Sequence, residues 1–155
     1  MQELSTAGVL LKYAAASSGS TRPTAGYTTI PCIKAIPDFN PEPESLEVTD
    51  LSDTTWRRYI PGLKDPGGAL AFTANLTTQF KTAWGNLCTA YATAFAAGKS
   101  MWFEIYVPNF GSFFFAGIPS ELGMTGMDVN AVLEIEAYIT PNMVHGWDTS
   151  STTSA

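Results

Sequence analysis

Only one stretch of this chain repeats its large apolar residues at helical spacing, and that fact sets the balance of the fold. Phe80, Trp84, Leu87, Cys88, Tyr91 and Phe95 form a single stripe with a period of about 3.6 residues. Asn75, Thr77 or Thr78 can cap its start, and Gly98 supplies the left-handed residue that ends it. The opposite face is Thr, Ala and Lys without a cationic band, so the stripe reads as a packing surface, not a membrane or cofactor face. Every other patterned stretch has a period of two or is too short for a helix. The expected fold is mainly β with one α-helix.

The alternating segments follow in order. Val9, Leu11 and Tyr13 alternate with Leu10, Lys12 and Ala14, giving a first strand that runs into the small polar loop 14–27. Residues 28–36 read as a second extended segment, with Ile30, Cys32 and Ala35 or Ile36 inward and with Pro31 and Pro37 confining it to an edge or a short ladder. Residues 69–74 form a strand leading into the helix, and 101–107 and 112–118 form a hairpin turned by Pro108, Asn109, Phe110 and Gly111. Phe113, Phe114 and Phe115 put aromatics on both faces of that hairpin, which calls for a cover by the helix or by another subunit. Ala131, Leu133, Ile135, Ala137 and Ile139 alternate with Val132, Glu134, Glu136 and Tyr138, a strand with one core side and one wet, acidic side. Residues 1–147 are expected to form one domain and 148–155 a flexible polar tail.

Residues 37–75 are built differently. Asp38, Glu42, Glu44, Glu47, Asp50 and Asp53 occur without an intervening Lys or Arg, and Arg57, Arg58 and Lys64 then follow almost together. Separated patches of opposite sign do not neutralise each other locally and can steer and register association between molecules. Trp56, Tyr59, Ile60 and Leu63 lie among them, residue types that anchor interfaces. Leu46 and Val48 suit a short strand within the loop. The alternative is an ordinary long surface loop folded back on its own domain.

Composition bounds the rest. At 155 residues the chain suits one domain that buries about 70% of its unfolded surface. Charged residues make up only 14% against a usual ~25%, so part of the uncharged surface is expected to face other protein. The net charge of −6 and pI of 4.6 oppose a nucleic-acid binder, which needs a basic patch, and suit a surface that DNA passes without sticking. There is no signal-peptide pattern at the N-terminus and no run near the ~20 apolar residues needed to span a bilayer. Cys32 and Cys88 are expected to be reduced. One His and two separated Cys offer no metal-ligand spacing, no Gly-rich stretch matches a phosphate cradle, and neither a Glu134/Glu136 pair nor a Cys88/His145 pair makes a convincing catalytic constellation. No enzyme activity, cofactor or metal is expected.

The run PCIKAIPDFNPEPESLEVTDLSDTTWRRYIPGLKDPGG, followed by a strand, a helix and the closing ITPNMVHGWDT, resembles the major tail (tail tube) proteins of long-tailed bacteriophages. The resemblance implies a tail-tube-type β-sandwich or barrel with a flanking helix and a long extended loop at 37–68. It implies homo-hexameric rings stacked head to tail into a channel for DNA ejection, built in the host bacterial cytoplasm and located in the virion. Implied partners are other copies of the chain, tape measure and tail completion proteins, and DNA in transit. The inter-subunit loop would use Glu42, Glu44, Glu47, Trp56, Arg57, Arg58, Tyr59, Leu63 and Lys64. Glu104, Glu134 and Glu136 are candidates for a negative lumen, against the plainer reading of solvated strand residues. A tail terminator or connector ring protein and a monomeric β-sandwich binding module are the competing readings.

Overall fold

The computed structural model describes residues 8–39, 45–62 and 68–151. Its elements are β1 (Leu10–Ala15), β2 (Thr28–Ile30), β3 (Ile33–Ala35), β4 (Ser45–Glu47), β5 (Tyr59–Pro61), β6 (Leu70–Asn75), α1 (Thr78–Ala96), β7 (Met101–Val107), β8 (Gly111–Pro119) and β9 (Glu134–Asp148). Seven strands form one antiparallel sheet in the order β2-β1-β7-β8-β9-β6-β3, and β4 pairs only with β5. The mainly β architecture with one helix is as expected from the sequence. The helix is not apolar enough to cross a membrane.

The sheet has to roll up. β2 and β3 occupy its two edges, yet only Pro31 and Cys32 separate them in the chain. Three Cα steps of about 3.8 Å reach at most about 11 Å. Six strand spacings of about 4.8 Å in a flat sheet would place the edges about 29 Å apart. The result is a nearly closed barrel. The corner is tight enough that Cys32 takes a positive φ of 66°, unusual for a residue with a side chain, and its carbonyl accepts a hydrogen bond from Asn75 N at 3.0 Å. The single extended segment expected over 28–36 is therefore two strands, broken where Pro31 removes a ladder donor.

The barrel interior follows the period-two pattern. Leu11, Ile30, Leu70, Phe72, Ala74, Met101, Phe103, Ile105, Phe115, Ile135, Ala137 and Ile139 are buried in one cluster with Phe80, Trp84, Leu87 and Ala94 of α1. Facing positions complement each other in size, as where Phe72 lies opposite Ala137 and Ala74 opposite Ile135. Phe103 and Phe39 stack on Phe115 with ring centroids at 5.4 and 5.5 Å. Thr77 caps α1 by accepting a hydrogen bond from Phe80 N at 3.1 Å, and Gly98 follows with φ 73°.

Phe95 departs from the expected stripe: it is 71% exposed, and Ala94 is buried in its place. At about 100° per residue, Phe95 has rotated about 60° past Phe80, beyond the edge of the buried face.

The aromatic hairpin is covered from within the chain. Phe113 and Phe115 face the barrel side, while Phe114, fully buried, faces the other way under loop 16–27. Tyr27 packs on Phe114 at 5.9 Å and the Arg22 guanidinium lies 4.3 Å from the same ring. Hydrogen bonds Ala16 N to Ser100 O (2.8 Å) and Ser100 N to Gly19 O (2.9 Å), with the Arg22–Asp148 ion pair (3.0 Å), fasten the loop. Burial pushes the Tyr27 phenol far above its ordinary pKa. Of the two covers expected, helix or second subunit, the helix side holds for one face and the chain's own loop supplies the other.

β9 is longer than the alternating segment that marks it, continuing through Pro141 and Gly146 to Asp148 with register shifts against β8. At Gly117 the strands come so close that a Cβ would lie 2.8 Å from Thr140 O. The first residues of the segment expected as a flexible tail make contacts with the sheet. Ser112 Oγ and Ser150 Oγ are 2.9 Å apart, and Ser151 donates to Glu104 from its backbone N at 3.0 Å and from its hydroxyl. Residues 152–155 lie outside the described residues.

Trp84→Ala should lower unfolding free energy by about 3–5 kcal/mol, since a 1% exposed indole is lost together with its hydrogen bond to Ser120 O at 2.8 Å. Thr77→Ala should cost about 1 kcal/mol through the lost cap. Urea unfolding followed by far-UV circular dichroism checks both, and equal effects from the two would contradict this assignment of the core.

Candidate assembly surfaces

Within the segment expected as an extended inter-subunit loop, residues 45–61 form a β-hairpin arm. β4 and β5 pair through Ser45↔Pro61, Leu46↔Ile60 and Glu47↔Tyr59, and Val48 N donates to Arg58 O at 2.8 Å. Leu46 and Val48 were the only alternating cue for a strand here, and Leu46 lies in β4. The tip 49–58 is braced from within. Asp50 accepts from Ser52 N at 2.8 Å, and Asp53 accepts from Asp50 N at 2.9 Å. Arg58 binds Asp53 through Nε at 2.8 Å and Asp50 through Nη2 at 3.2 Å, while its backbone N donates to Thr49 Oγ1 at 2.8 Å. Hydrogen bonds from Ser52 hold the Asp50 carboxyl below the usual carboxylate range.

This corrects one expectation. The two signs of the loop do meet, because the hairpin folds Arg58 back onto acids five and eight residues earlier, a pairing outside the helical spacings. Arg58 is thus a brace of the tip. Arg57 makes no ion pair with any described residue and stays exposed. Around it the arm displays Trp56 at 80% exposure, with Leu46, Leu51, Tyr59 and Ile60 also exposed. Glu47 is exposed on β4. Glu42, Glu44, Leu63 and Lys64 lie outside the described residues.

The second surface is the outward side of β9 and β6. Glu134, Glu136 and Tyr138 face away from Ile135, Ala137 and Ile139, opposite Asn75, Thr73 and Ala71. Glu136 is exposed and accepts a hydrogen bond from the Tyr138 hydroxyl at 2.9 Å, while Glu134 is paired with Lys34 of β3. An open depression of about 410 Å³ lies beside them, walled by Met124 and Thr125. Glu104 does not belong to this surface. It is fully buried on the outer face of β7, opposite Lys12 and under Ser151, so it lines no open face of the chain.

Two features had no clear signal in the sequence. Loop 120–133 exposes Met124, Met127 and Val129, which lack any period; it also takes in Ala131, Val132 and Leu133, expected as the start of the last strand with Ala131 and Leu133 inward, but exposed because β9 begins only at Glu134. A groove of about 490 Å³ also runs along α1, bounded by Lys81, Trp84, Gly85, Cys88, Glu121 and Leu122. The Cys32 and Cys88 sulfurs are unpaired, and burial raises the Cys88 thiol pKa, with Glu121 adding to the shift. His145 bonds Asp148 at 2.8 Å. Among the described residues no three His, Cys, Asp or Glu side chains gather as metal ligands.

No protein-family profile matches the chain, and no curated protein does. Solved structures do. A chain of the anti-feeding prophage baseplate, whose structure is sixfold symmetrised, superposes with a TM-score of 0.62 at 9% identity, covering 94% of this chain and 96% of that one. The tube-terminating cap of the same prophage gives 0.59 at 10% identity, covering 97% and 93%. The tail of an empty GTA particle, helically refined with C6 symmetry, gives 0.51 at 17% identity, covering 92% and 96%. At such identities the likeness is one of fold, and the chain accordingly has the rolled sheet and flanking helix of subunits from these baseplate, cap and tail assemblies.

Proposed function

We propose that this protein is a structural subunit of a bacteriophage tail tube, six copies to a ring, with rings stacked head to tail around the channel through which DNA leaves. The observation that carries the reading is the arm: a braced hairpin presenting Trp56, Tyr59, Ile60 and Arg57 to solvent, on a fold shared with baseplate, cap and tail subunits. Hydrophobic and aromatic side chains so exposed are completed by a partner. Two of the similar assemblies carry sixfold symmetry in their descriptions, which supports six copies here. Its work is structural, not enzymatic, and its place is the virion, after synthesis and assembly in the host cytoplasm. Its partners are further copies of itself, tape measure and tail completion proteins.

Glu136, with Glu134 beside it, faces the channel in this proposal. A carboxylate surface repels phosphate, and with a net charge of −6 the subunit offers passing DNA little to adhere to. A second reading is favoured by one observation. The baseplate and cap chains superpose better than the tail chain does, at 0.62 and 0.59 against 0.51, which suits a terminator or connector ring.

Negative-stain electron microscopy of the purified protein separates the readings: hollow filaments of uniform diameter are expected for a tube subunit, isolated rings for a terminator, and a persistent monomer at high concentration contradicts both. Arg57→Glu should slow polymerisation at least tenfold in light scattering while leaving the melting temperature unchanged, because the residue is exposed and braces nothing. Glu136→Lys should assemble normally yet delay DNA release from reconstituted particles, and release at the wild-type rate would remove Glu136 from the channel wall.

A further inference from the structure

The groove along α1 has the chemistry to receive the tip of the arm. Its accessible apolar lining includes Cys88 and Leu122 over the buried Trp84, and two charges of opposite sign, Lys81 and Glu121, also line it. Neither charge makes an ion pair with a described residue. The groove stays open because the helix residue over its middle is Gly85, where an added Cβ would meet nothing within 4 Å. A glycine inside a helix is disfavoured relative to alanine.

The arm carries the matching set. Trp56 is 80% exposed, the adjacent Arg57 has no ionic partner, and Glu47 is exposed nearby on β4. Arg58 is already committed to Asp50 and Asp53, so among the described residues of the arm Arg57 is the cation left to reach outward. None of these side chains lines the groove of its own chain.

We propose that the groove bounded by Lys81, Gly85, Cys88 and Glu121 is the receptor for the arm of a second copy, with Trp56 seated on Cys88 and Leu122 and Arg57 paired with Glu121. An aromatic anchor beside an arginine, placed in an apolar slot with a charge at its mouth, is the composition of interface hot spots. The contact is heterologous: arm and groove are different surfaces of one chain, so each copy can give one arm and receive another, as closed rings and stacked filaments require. The inference rests on the arm being an inter-subunit element and adds the surface that receives it.

Cys88 lies in the groove and provides the test. One full-length chain carries Thr55→Cys, Cys32→Ser and Cys88→Ser, and a second carries Cys32→Ser alone. Mixed and treated with a short bis-maleimide, they should give a covalent heterodimer bridging residue 55 of one to Cys88 of the other. Gly85→Phe in the second chain should reduce the yield at least tenfold with an unchanged or raised melting temperature, since it fills the slot without touching the core. Glu121→Arg should also reduce it, and pairing that chain with Arg57→Glu in the first should restore it. Absence of the heterodimer, or indifference to Gly85→Phe, overturns the proposal. So does a chain with both Thr55→Cys and Cys88 that bridges only to itself. A heterodimer formed by a protein that builds neither rings nor tubes would instead leave the groove assignment standing and remove the tail-tube reading.

Discussion

The constraint on which the structure depends is the corner at Pro31 and Cys32. It ties the two edges of a seven-stranded sheet within about 11 Å, and a twisted sheet whose edges must meet can only curl around its apolar side chains. The interior that results is narrow, filled by Phe72, Phe103 and Phe115 set against Ala74 and Ala137, and closed by the apolar stripe of α1. The positive φ of Cys32 marks where the backbone absorbs the turn. Curling also removes most of the free edge that an open antiparallel sheet would offer to stray strands.

Much of this was legible in the sequence, for a physical reason in each case. The helix shows because a one-sided stripe has no other stable use, the first half of β9 because one face is wet and the other dry, and β7 and β8 because short alternating or aromatic runs flank the turn residues Pro108 to Gly111. What did not show is what depends on distant partners. The second half of β9 reads as irregular, with Pro141, Gly146 and bulges, and becomes a strand only because β8 lies alongside. The split of 28–36 into opposite edges depends on a barrel that no local pattern encodes. Glu104 alternates like any solvated strand residue, and its burial depends on Ser151, some fifty residues away.

Among the candidate site residues, the aromatic and basic character of the arm was visible and its internal bracing was not. Charge segregation along a line does not remain segregation once a hairpin folds Arg58 back upon Asp50 and Asp53. The groove on α1 was invisible because its defining residue, Gly85, contributes space and no side chain. The arm and loop 120–133 keep exposed apolar side chains, as do Phe95 on α1, Phe110 at the hairpin turn and Trp147 near the end of β9.

The strand order carries one more consequence. β9 follows β1 to β8 in the chain, yet it lies between β8 and β6, joining a β2-β1-β7-β8 block to a β6-β3 block. While its C-terminal stretch is still inside the ribosome, the two blocks share no strand pairing and the groove on α1 lacks the Glu121 and Leu122 wall that precedes β9. Long-range pairing of this kind is slow to form and comes late. The barrel therefore closes only once β9 is in place, since β9 alone pairs with both blocks.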